Sequence, residues 1–494
     1  MLSADQLRQL AEPLPHPSPD QQRDWAHAAA SYVLEHLRTL PEQPIGQSAS
    51  RARLEALLRS PPPEQGQDFP AVLDEFARQV AGHAFRINHP RFFAFIPAAP
   101  SFPSQLGDWL CAGTNFFAGV WLEAAGPAQV ELLVLDWFKD WLGCPPETQG
   151  VLTGGGSEAN LIALTVARDR LPFADRARAV LYVSEQRHWS VDRAARIIGL
   201  HPDQVQGIPT DDVFRLRPAA LVEQVRHDRT AGKLPWAVVA NAGATNTGAV
   251  DPLTPLADLC RECNLWLHVD AAYGWPAVLI PEGQSELAGI GQANSITLDP
   301  HKWFAQTYEA GCVLIREGHR LTDSFALRPD YMQDVLPGAG EVNFADHGIA
   351  LTRRFRALKI WLSVKILGLS WFRSLIDRCC RLAEWAEDQL RQSPDFDVLC
   401  PRHLSIVCFR FAPRTYQLSE SELNALNLAL VESLRLTGRA FLSSTLLNGR
   451  VALRLCFVNW RTTLGDVEET IGLLTQLGHE LLVDAASRSR ERPE

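Results

Sequence analysis

The sequence predicts an α/β protein whose large central domain is built on a mostly parallel β-sheet. Between about residue 148 and residue 320, short apolar runs alternate with segments of helical periodicity. The runs are continuously apolar, which is typical of strands buried on both faces under covering helices. These predicted strands span residues 179–183, 236–240, 265–269, 295–298 and 312–315. Ligands of such sheets bind beyond the carboxyl ends of the strands, so the residues that follow the runs are the first candidates for a functional site.

The segments on either side of this region have different patterns. Residues 1–85 contain helices interrupted by proline-rich joints and have too little apolar surface for a core of their own, so we expect an N-terminal helical arm. The large domain is expected at 86–375 and ends in a helix over about 349–367. Residues 376–494 predict a small α+β domain with strands at 404–411, 440–446 and 451–458, the last two joined by a turn at Asn448 and Gly449.

Composition and charge narrow the class of protein. The net charge is −10 and no stretch rich in Lys and Arg carries interleaved aromatic residues, so nucleic acid is not an expected partner. No apolar run approaches about 18 residues, so no membrane span is expected. The first residues lack a basic leader and the apolar segment of a signal peptide, which favours a cytoplasmic protein. The ten cysteines are scattered, which predicts reduced thiols and no metal centre.

One lysine stands directly after a predicted strand. The run at 295–298 is followed by Asp299, Pro300, His301 and Lys302. A lysine presented by a turn at the mouth of a sheet can form a Schiff base with an aldehyde. The same residue could also be an ordinary surface lysine, and this stretch alone does not decide between the two.

A glycine-rich turn and a histidine follow two other predicted strands. Gly155, Gly156 and Ser157 open a helix, where glycines let backbone amides approach a ligand and a helix N-terminus favours phosphate. The lysine of a nucleotide-binding P-loop is absent from this turn. His188 follows the strand at 179–183 and starts a helix, where its imidazole could lie flat on an aromatic ligand. Taken alone, each motif favours simple helix capping.

A carboxylate completes the pattern. Asp270 ends the strand at 265–269 and, being buried, needs a cationic or hydrogen-bonding partner, although it could instead cap the next helix. Ala272 is small enough to let a flat ring approach the sheet. A phosphate seat, a stacking imidazole, a carboxylate and a lysine on successive strand ends match the phosphate, ring, pyridine nitrogen and aldehyde of pyridoxal 5′-phosphate (PLP). The sequence therefore predicts a PLP site.

Five motifs resemble those of the group II PLP-dependent amino-acid decarboxylases, and within them the aromatic-L-amino-acid decarboxylase branch. The motifs lie at 89–97, 154–160, 268–273, 299–303 and 353–361, and the resemblance extends from about residue 20 to residue 475. His-Lys-Trp at 301–303 together with His-Val-Asp-Ala-Ala-Tyr at 268–273 is highly specific to this family. The resemblance implies the PLP-dependent transferase fold type I with a seven-stranded sheet. It also implies a homodimer formed through the N-terminal arm, with each active site at the subunit interface.

The resemblance implies roles for individual residues. Lys302 would form the Schiff base with PLP, Asp270 would pair with the protonated pyridine nitrogen, and His188 would stack on the ring. Tyr331, in an expected mobile lid, would protonate Cα after CO2 leaves. Aldehyde-forming relatives have phenylalanine there, so this tyrosine favours simple decarboxylation. Further cofactor contacts are implied for Gly155, Gly156, Ser157, Thr245, Ala272, Ser295 and His301.

The implied substrate pocket is largely apolar. It corresponds to Phe95, Ile96, Pro97, Ala98, Phe117, Gly119 and Thr352. The resemblance therefore implies that an L-amino acid of the tyrosine, dopa, tryptophan or phenylalanine type is converted to its amine and CO2, and the hydroxyl of Thr352 favours tyrosine or dopa.

Three alternatives stay open. Arg91 and Arg353 could serve an acidic or diamino substrate such as glutamate, aspartate or 2,4-diaminobutyrate, and aromatic aldehyde synthesis is a second possibility. A regulatory PLP-binding protein is disfavoured because the expected catalytic residues are all present. Asp299 occupies a position where animal members have asparagine near the phosphate; its carboxylate would repel that group, so it is not counted as a phosphate ligand.

Overall fold

The computed structural model describes residues 3–11, 13–327, 334 and 336–490, and the chain divides into two compact units at residues 89 and 90. The first unit contains the helices Ala4–Ala11 (α1), Pro19–Thr39 (α2), Arg51–Leu58 (α3) and Phe69–Glu75 (α4). A capping box starts α2, because Ser18 Oγ accepts from the Gln21 amide and the Gln21 side chain accepts from the Ser18 amide. This unit is helical, as its proline-interrupted periodicity predicts.

The second unit contains a seven-stranded sheet. Its strands are Gln149–Thr153 (β1), Ala179–Ser184 (β2), Val205–Ile208 (β3), Leu234–Asn241 (β4), Trp266–Asp270 (β5), Ser295–Leu298 (β6) and Gly311–Ile315 (β7). The strand order is β1-β7-β6-β5-β4-β2-β3, and only the pairings of β7 with β1 and β6 are antiparallel. Every residue of β2, β5, β6 and β7 is buried, which is why their sequences are continuously apolar. The predicted α/β fold with a mostly parallel sheet is confirmed.

Helices of the second unit precede the sheet, connect its strands or follow its last strand. They are Phe102–Thr114 (α5), Trp121–Leu142 (α6), Gly156–Asp169 (α7), Trp189–Ile197 (α8), Pro218–Thr230 (α9), Leu253–Glu262 (α10), Pro281–Glu286 (α11) and His319–Phe325 (α12). Among the helices that the structure describes, none is long and apolar enough to cross a membrane.

The next helix differs from its predicted bounds. Helix α13 spans Ala357–Gln392 and is interrupted by Gly368, whose φ is +74°. Residues 349–356 do not join it because Arg353 is buried and donates to the carbonyls of Ala118 and Leu152, which holds this stretch in tertiary contacts. The expected domain boundary at 375/376 falls inside α13, and the limits 1–85, 86–375 and 376–494 stay predictions.

A four-stranded antiparallel sheet follows α13. Its strands are Phe396–Val398 (β8), Ile406–Phe411 (β9), Ser443–Leu447 (β10) and Arg450–Cys456 (β11), in the order β10-β11-β9-β8, and its helices are Glu420–Thr437 (α14) and Leu464–Arg490 (α15). The predicted turn between β10 and β11 is present, with positive φ at Asn448 and Gly449. Arg454 of β11 donates to the carbonyls of Thr245 and Asn246, so this sheet fixes a loop that follows β4.

Candidate active site

A cavity of about 560 Å³ opens at the carboxyl ends of the parallel strands. The residues beyond β1, β2, β5 and β6 meet there, as the topology of such sheets requires. The predicted residues that line this cavity are Gly155, Gly156, Ser157, His188, Thr245, Asp270, Ala272, His301 and Lys302.

The glycine turn after β1 forms a narrow seat at the start of α7. Gly155 is the N-cap residue and has a φ of +147°, a conformation that favours glycine. A Cβ on Gly155 would lie 3.2 Å from His301 Cε1, and one on Gly156 would lie 2.8 Å from Asp299 Oδ2. No side chain caps this helix start in the described structure, so the hydroxyl of Ser157 is not committed as a cap. The seat suits an anionic group that backbone amides can approach closely.

Asp270 presents a buried carboxylate to the cavity. Its side chain accepts from the Ala272 amide through Oδ1 (3.2 Å) and from Asn160 Nδ2 through Oδ2 (3.0 Å). Both donors are neutral, so they stabilise the carboxylate without cancelling its charge. The arrangement leaves Asp270 able to pair with a cationic ligand atom, and Asp270 does not cap the 3₁₀-helix that follows, whose N-cap residue is Gly274.

His188 lines the cavity at the start of α8, where it is the N-cap residue. Its Nδ1 lies 2.8 Å from Ser190 Oγ and accepts from the Ser190 amide at 3.3 Å. Burial lowers the pKa of His188 below its ordinary value of 6.5, and the nearby Asp270 carboxylate only partly opposes this shift. The imidazole is therefore neutral near pH 7, as suits contact with a flat ring.

Lys302 lies beside the carboxylate of Asp299, the residue that the family resemblance implies is near the phosphate. Its Nζ is 3.1 Å from Asp299 Oδ2, and His301 Nε2 is 3.8 Å from the same oxygen. The Ala310 amide donates to His301 Nδ1, which leaves Nε2 to carry the proton on the side of Asp299. Asp299 is 2% exposed, and its Oδ1 has no hydrogen-bond partner among the described residues. The amine of Lys302 thus has an ion-pair partner within the cavity.

The structure corrects the expectation for Ser295. This residue is the first of β6, at the strand end opposite the cavity, and does not line it. Its hydroxyl accepts from Trp266 Nε1 at 2.8 Å and lies 2.8 Å from His268 Nδ1. Both contacts are internal to the sheet, so Ser295 is not available to a phosphate. The sequence motif indicated proximity along the chain but not the direction of the strand relative to the ligand.

The residues implied for the substrate pocket do not line this cavity within the single chain. Phe95 is 57% exposed and Thr352 is exposed, whereas Ile96 and Ala98 are buried. The Phe117 ring lies over Gly119, since a Cβ there would come within 2.6 Å of the ring. The remaining implied residue is Pro97, which is also buried. Tyr331 lies outside the residues that the structure describes.

Several cavity residues were not predicted as part of the site. They are Glu158, Asn160, Ser190, Asn241, Gly243, Tyr273, Tyr308 and Glu309. Asn160 could have been found, because it lies four residues after Gly156 and therefore on the same face of α7. Tyr308 and Glu309 lie between the motif at 299–303 and β7, in a stretch whose residue types predicted no function.

The residues of this cavity fit PLP. The glycine seat, where a Cβ on Gly156 would fill the space, suits a phosphate, and the carboxylate of Asp270 suits a protonated pyridine nitrogen. Lys302 supplies the only kind of side-chain amine that forms a Schiff base with an aldehyde. Fold and site together define an α/β enzyme of the PLP-dependent class.

Comparison with known proteins identifies the family. Residues 52–412 match the model of the pyridoxal-dependent decarboxylase conserved domain, so the chain belongs to the pyridoxal-dependent decarboxylase family. The predictions of PLP as cofactor and of a PLP-dependent carboxy-lyase are confirmed by this match.

Similar proteins are named for aromatic substrates. The chain is 40% identical to an aromatic-L-amino-acid decarboxylase of Bacillus atrophaeus, over 94% of this chain and 97% of that protein. It is 30% identical to a phenylacetaldehyde synthase of Arabidopsis thaliana, over 88% of this chain and 91% of that protein. The crystal structure of Oryza sativa TDC with PLP and tryptamine superposes with a TM-score of 0.90 at 29% identity, over 95% of this chain and 99% of the other.

Proposed function

We propose that this enzyme decarboxylates an aromatic L-amino acid and releases CO2 and the corresponding amine. The observation that carries the proposal is the convergence of the Lys302 amine, the Asp270 carboxylate and the His188 imidazole in one cavity beside a glycine-lined helix start. The names of the similar proteins support an aromatic substrate class.

The predicted residues that line the cavity have proposed roles toward PLP. When bound, PLP supplies the conjugated ring that accepts the electron pair left by departing CO2. Lys302 holds it through its amine, Asp270 keeps the proton on the ring nitrogen, and His188 and Ala272 contact the two faces of the ring. The phosphate contacts are proposed for Gly155, Gly156, Ser157 and His301, and the contact to the ring oxygen for Thr245.

The remaining roles rest on the sequence. Tyr331 is proposed to donate the proton to Cα after CO2 leaves, as the tyrosine at this position implies. The cytoplasmic location also stays a prediction from the sequence.

A second copy of the chain is proposed to complete the substrate pocket. Large apolar side chains are exposed around the implied pocket residues, and we call Trp109, Leu110, Phe116 and Leu351 the apolar face; Trp109 is 57% exposed and Leu351 is 70% exposed. Asp108 of α5 forms ion pairs with Arg354 (3.3 Å) and Lys359 (2.9 Å), which connects α5 to the residues around the start of α13. Exposed apolar surface of this kind favours a protein interface, which supports the homodimer.

The structure weakens the case for an acidic substrate. Such a substrate needs a cation for its distal carboxylate, and Arg91 and Arg353 were the candidates. Arg353 is 3% exposed and lies 2.5 Å from Glu131 Oε1. Arg91 donates to the Arg439 carbonyl (2.7 Å) and to Asp466 (3.1 Å). Both guanidinium groups are already committed within the fold, which supports an apolar side chain on the substrate.

A substrate panel tests the proposal and its alternatives. The purified chain is loaded with PLP and incubated with L-Phe, L-Tyr, L-dopa, L-Trp, L-Glu and L-2,4-diaminobutyrate, and CO2, amine and aldehyde are quantified. We expect equal amounts of CO2 and amine from at least one aromatic amino acid and no CO2 from L-Glu. Turnover confined to the acidic or diamino substrates would overturn the substrate class, and aldehyde in place of amine would identify an aldehyde synthase.

A further inference from the structure

Buried hydrogen bonds link His188 to Asp270 along the wall of the cavity. Asn160 Nδ2 donates to Asp270 Oδ2 at 3.0 Å and to Ser190 Oγ at 2.9 Å. Ser190 Oγ in turn lies 2.8 Å from His188 Nδ1. Asn160 is fully buried and Ser190 is 3% exposed, so water does not compete for these bonds. The two side chains proposed to contact the cofactor ring are therefore not positioned independently of each other.

The direction of these bonds follows from the Asp270 carboxylate, which can only accept, so Asn160 presents Nδ2 to Asp270 and Oδ1 to His268. The Trp266 indole donates to Ser295 Oγ at 2.8 Å, and this hydroxyl can still donate to His268 Nδ1, which lies 2.8 Å away. Burial lowers the pKa of His268 to about 4, so this imidazole is neutral near pH 7 and carries one ring proton. That proton is on Nε2, which donates to Asn160 Oδ1 at 2.9 Å.

The same logic continues to His188. Asn160 Oδ1 accepts from His268, and both hydrogens of Nδ2 are used by Asp270 and Ser190, which agrees with a carboxylate that only accepts. Ser190 Oγ accepts from Asn160, so its own proton goes to His188 Nδ1. The Ser190 amide also donates to this nitrogen at 3.3 Å. His188 Nδ1 is therefore an acceptor, and Nε2 carries the ring proton.

We propose that Asn160 is a positioning residue that sets the tautomer of His188 and the orientation of Asp270 together. Asn160 acts on His188 through Ser190 and holds the imidazole in the tautomer whose proton is on Nε2. The Nε2 atom, which lies away from Ser190, is therefore a hydrogen-bond donor. Through its direct bond to Oδ2, Asn160 holds the Asp270 side chain in its orientation toward the cavity. The importance of Asp270 and His188 for PLP rests on the proposed function, whereas the tautomer follows from the hydrogen bonds alone.

The tautomer is tested by nuclear magnetic resonance on the full chain, labelled with 15N-histidine, before PLP is added. The chain has 14 histidines, and a His188→Gln variant assigns the His188 signals. We expect the neutral Nε2–H form in the wild type, retention of this form in Ser190→Thr, and a mixture of tautomers in Ser190→Ala. Ser184→Ala is the matched control, because Ser184 is also buried and its hydroxyl accepts only a local amide.

The link to Asp270 is tested by PLP binding. In Asn160→Asp, a second carboxyl group replaces the amide that donates to Asp270. Two neighbouring carboxylates repel each other, so the pair binds a proton at a higher pH than the single carboxyl group of the wild type does. We expect the ratio of the Kd for PLP at pH 5.5 to that at pH 7.5 to rise roughly tenfold over the wild-type ratio, since like charges shift such equilibria by about one pH unit or more. Absorbance of the Lys302-dependent band measures the binding.

Asn427→Asp is the control for this substitution. Asn427 is also fully buried, accepts one hydrogen bond from the Phe411 amide and donates two to carbonyls, but it does not line the cavity. It should leave the ratio of Kd values unchanged. An Nδ1–H or protonated His188 in the wild type, or an unchanged ratio in Asn160→Asp, would overturn this inference. Failure of the wild type to bind PLP through Lys302 would instead overturn the proposed function, and the tautomer measurement would still decide the inference.

Discussion

At the scale of single residues, Asp299 is the feature that most distinguishes this cavity. It is 2% exposed, its Oδ2 lies 3.1 Å from Lys302 Nζ, and the same oxygen would be 2.8 Å from a Cβ on Gly156. The carboxylate therefore lies between the reactive amine and the proposed phosphate seat. Its negative charge would repel a phosphate in the seat, so it opposes cofactor loading.

Asp299→Asn is expected to lower the Kd for PLP about tenfold, because removal of one buried like charge near the phosphate is worth on the order of 1.4 kcal/mol or more in a partly buried site. Equilibrium titration followed by absorbance measures the change. Asp228→Asn is the matched control, since Asp228 is equally buried and lies 3.1 Å from Lys233 but is not a cavity residue. Weaker PLP binding by the Asp299 variant, with an unchanged control, would contradict the repulsion.

At the scale of elements, the start of α7 forms the proposed phosphate seat. Gly156→Ala would place a methyl group 2.8 Å from Asp299 Oδ2 and 3.3 Å from Ala272 Cβ, inside the proposed phosphate seat. We expect at least a tenfold loss of PLP affinity, with little loss of stability because alanine is a better helix former than glycine. Calorimetric titration with PLP and thermal unfolding of the unloaded protein measure the two effects.

Gly465→Ala is the control for that helix start. Gly465 also lies in the first turn of a helix, α15, and a Cβ there would meet nothing closer than Thr463 Oγ1 at 3.9 Å. This variant should bind PLP as the wild type does. Equal PLP affinity of both alanine variants and the wild type would show that the seat is not the phosphate site.

The elements also show why some predicted bounds were wrong. The helix predicted from about residue 349 begins at Ala357, because the carbonyl of Arg353 accepts from the Ala118 amide and its side chain contacts Glu131. The helical periodicity of the sequence reflects only the local spacing of apolar residues, so it does not predict such long-range hydrogen bonds. The turn at Asn448 and Gly449 was predictable, because the requirement for positive φ is local to those two residues.

At the scale of the whole molecule, the apolar face supports a dimer. Leu351→Asp places a charge on this face, where Leu351 is 70% exposed, and is expected to convert a dimer of twice the 54.8 kDa chain mass to monomers. Because two of the implied substrate residues, Phe117 and Thr352, directly follow Phe116 and Leu351 of this face, decarboxylation is expected to be lost as well. Sedimentation equilibrium and CO2 release measure these changes.

Leu436→Asp is the matched control for the assembly. Leu436 lies on α14 and is 69% exposed, so the substitution introduces the same charge at the same exposure. It should leave both mass and activity unchanged. A monomeric wild type, or a Leu351 variant that remains an active dimer, would rule out this face as the interface.

Much of the site was predictable because it depends on order along the chain. Gly156, His188, Asp270 and Lys302 each follow a strand, and parallel strands bring their carboxyl ends to one edge. The bonds of Asn160 were not predictable, because its partner His268 lies 108 residues further along the chain and becomes a neighbour only in the folded sheet. The proposed contribution of a second chain is equally hard to predict from local sequence, since it depends on the surfaces that the fold creates.

The most direct test of the central claim compares Lys302→Ala with Lys233→Ala after loading with PLP. Lys302 and Lys233 each lie 3.1 Å from a buried aspartate oxygen, but only Lys302 lines the cavity. Release of CO2 and amine from the preferred aromatic L-amino acid is measured together with the absorbance band near the visible edge. We predict that Lys302→Ala loses the band and at least about 10³-fold of the rate, the scale expected for loss of a covalent catalytic group, whereas Lys233→Ala retains both. An Lys302→Ala protein that keeps the band and the wild-type rate would contradict the assignment of this cavity as the active site.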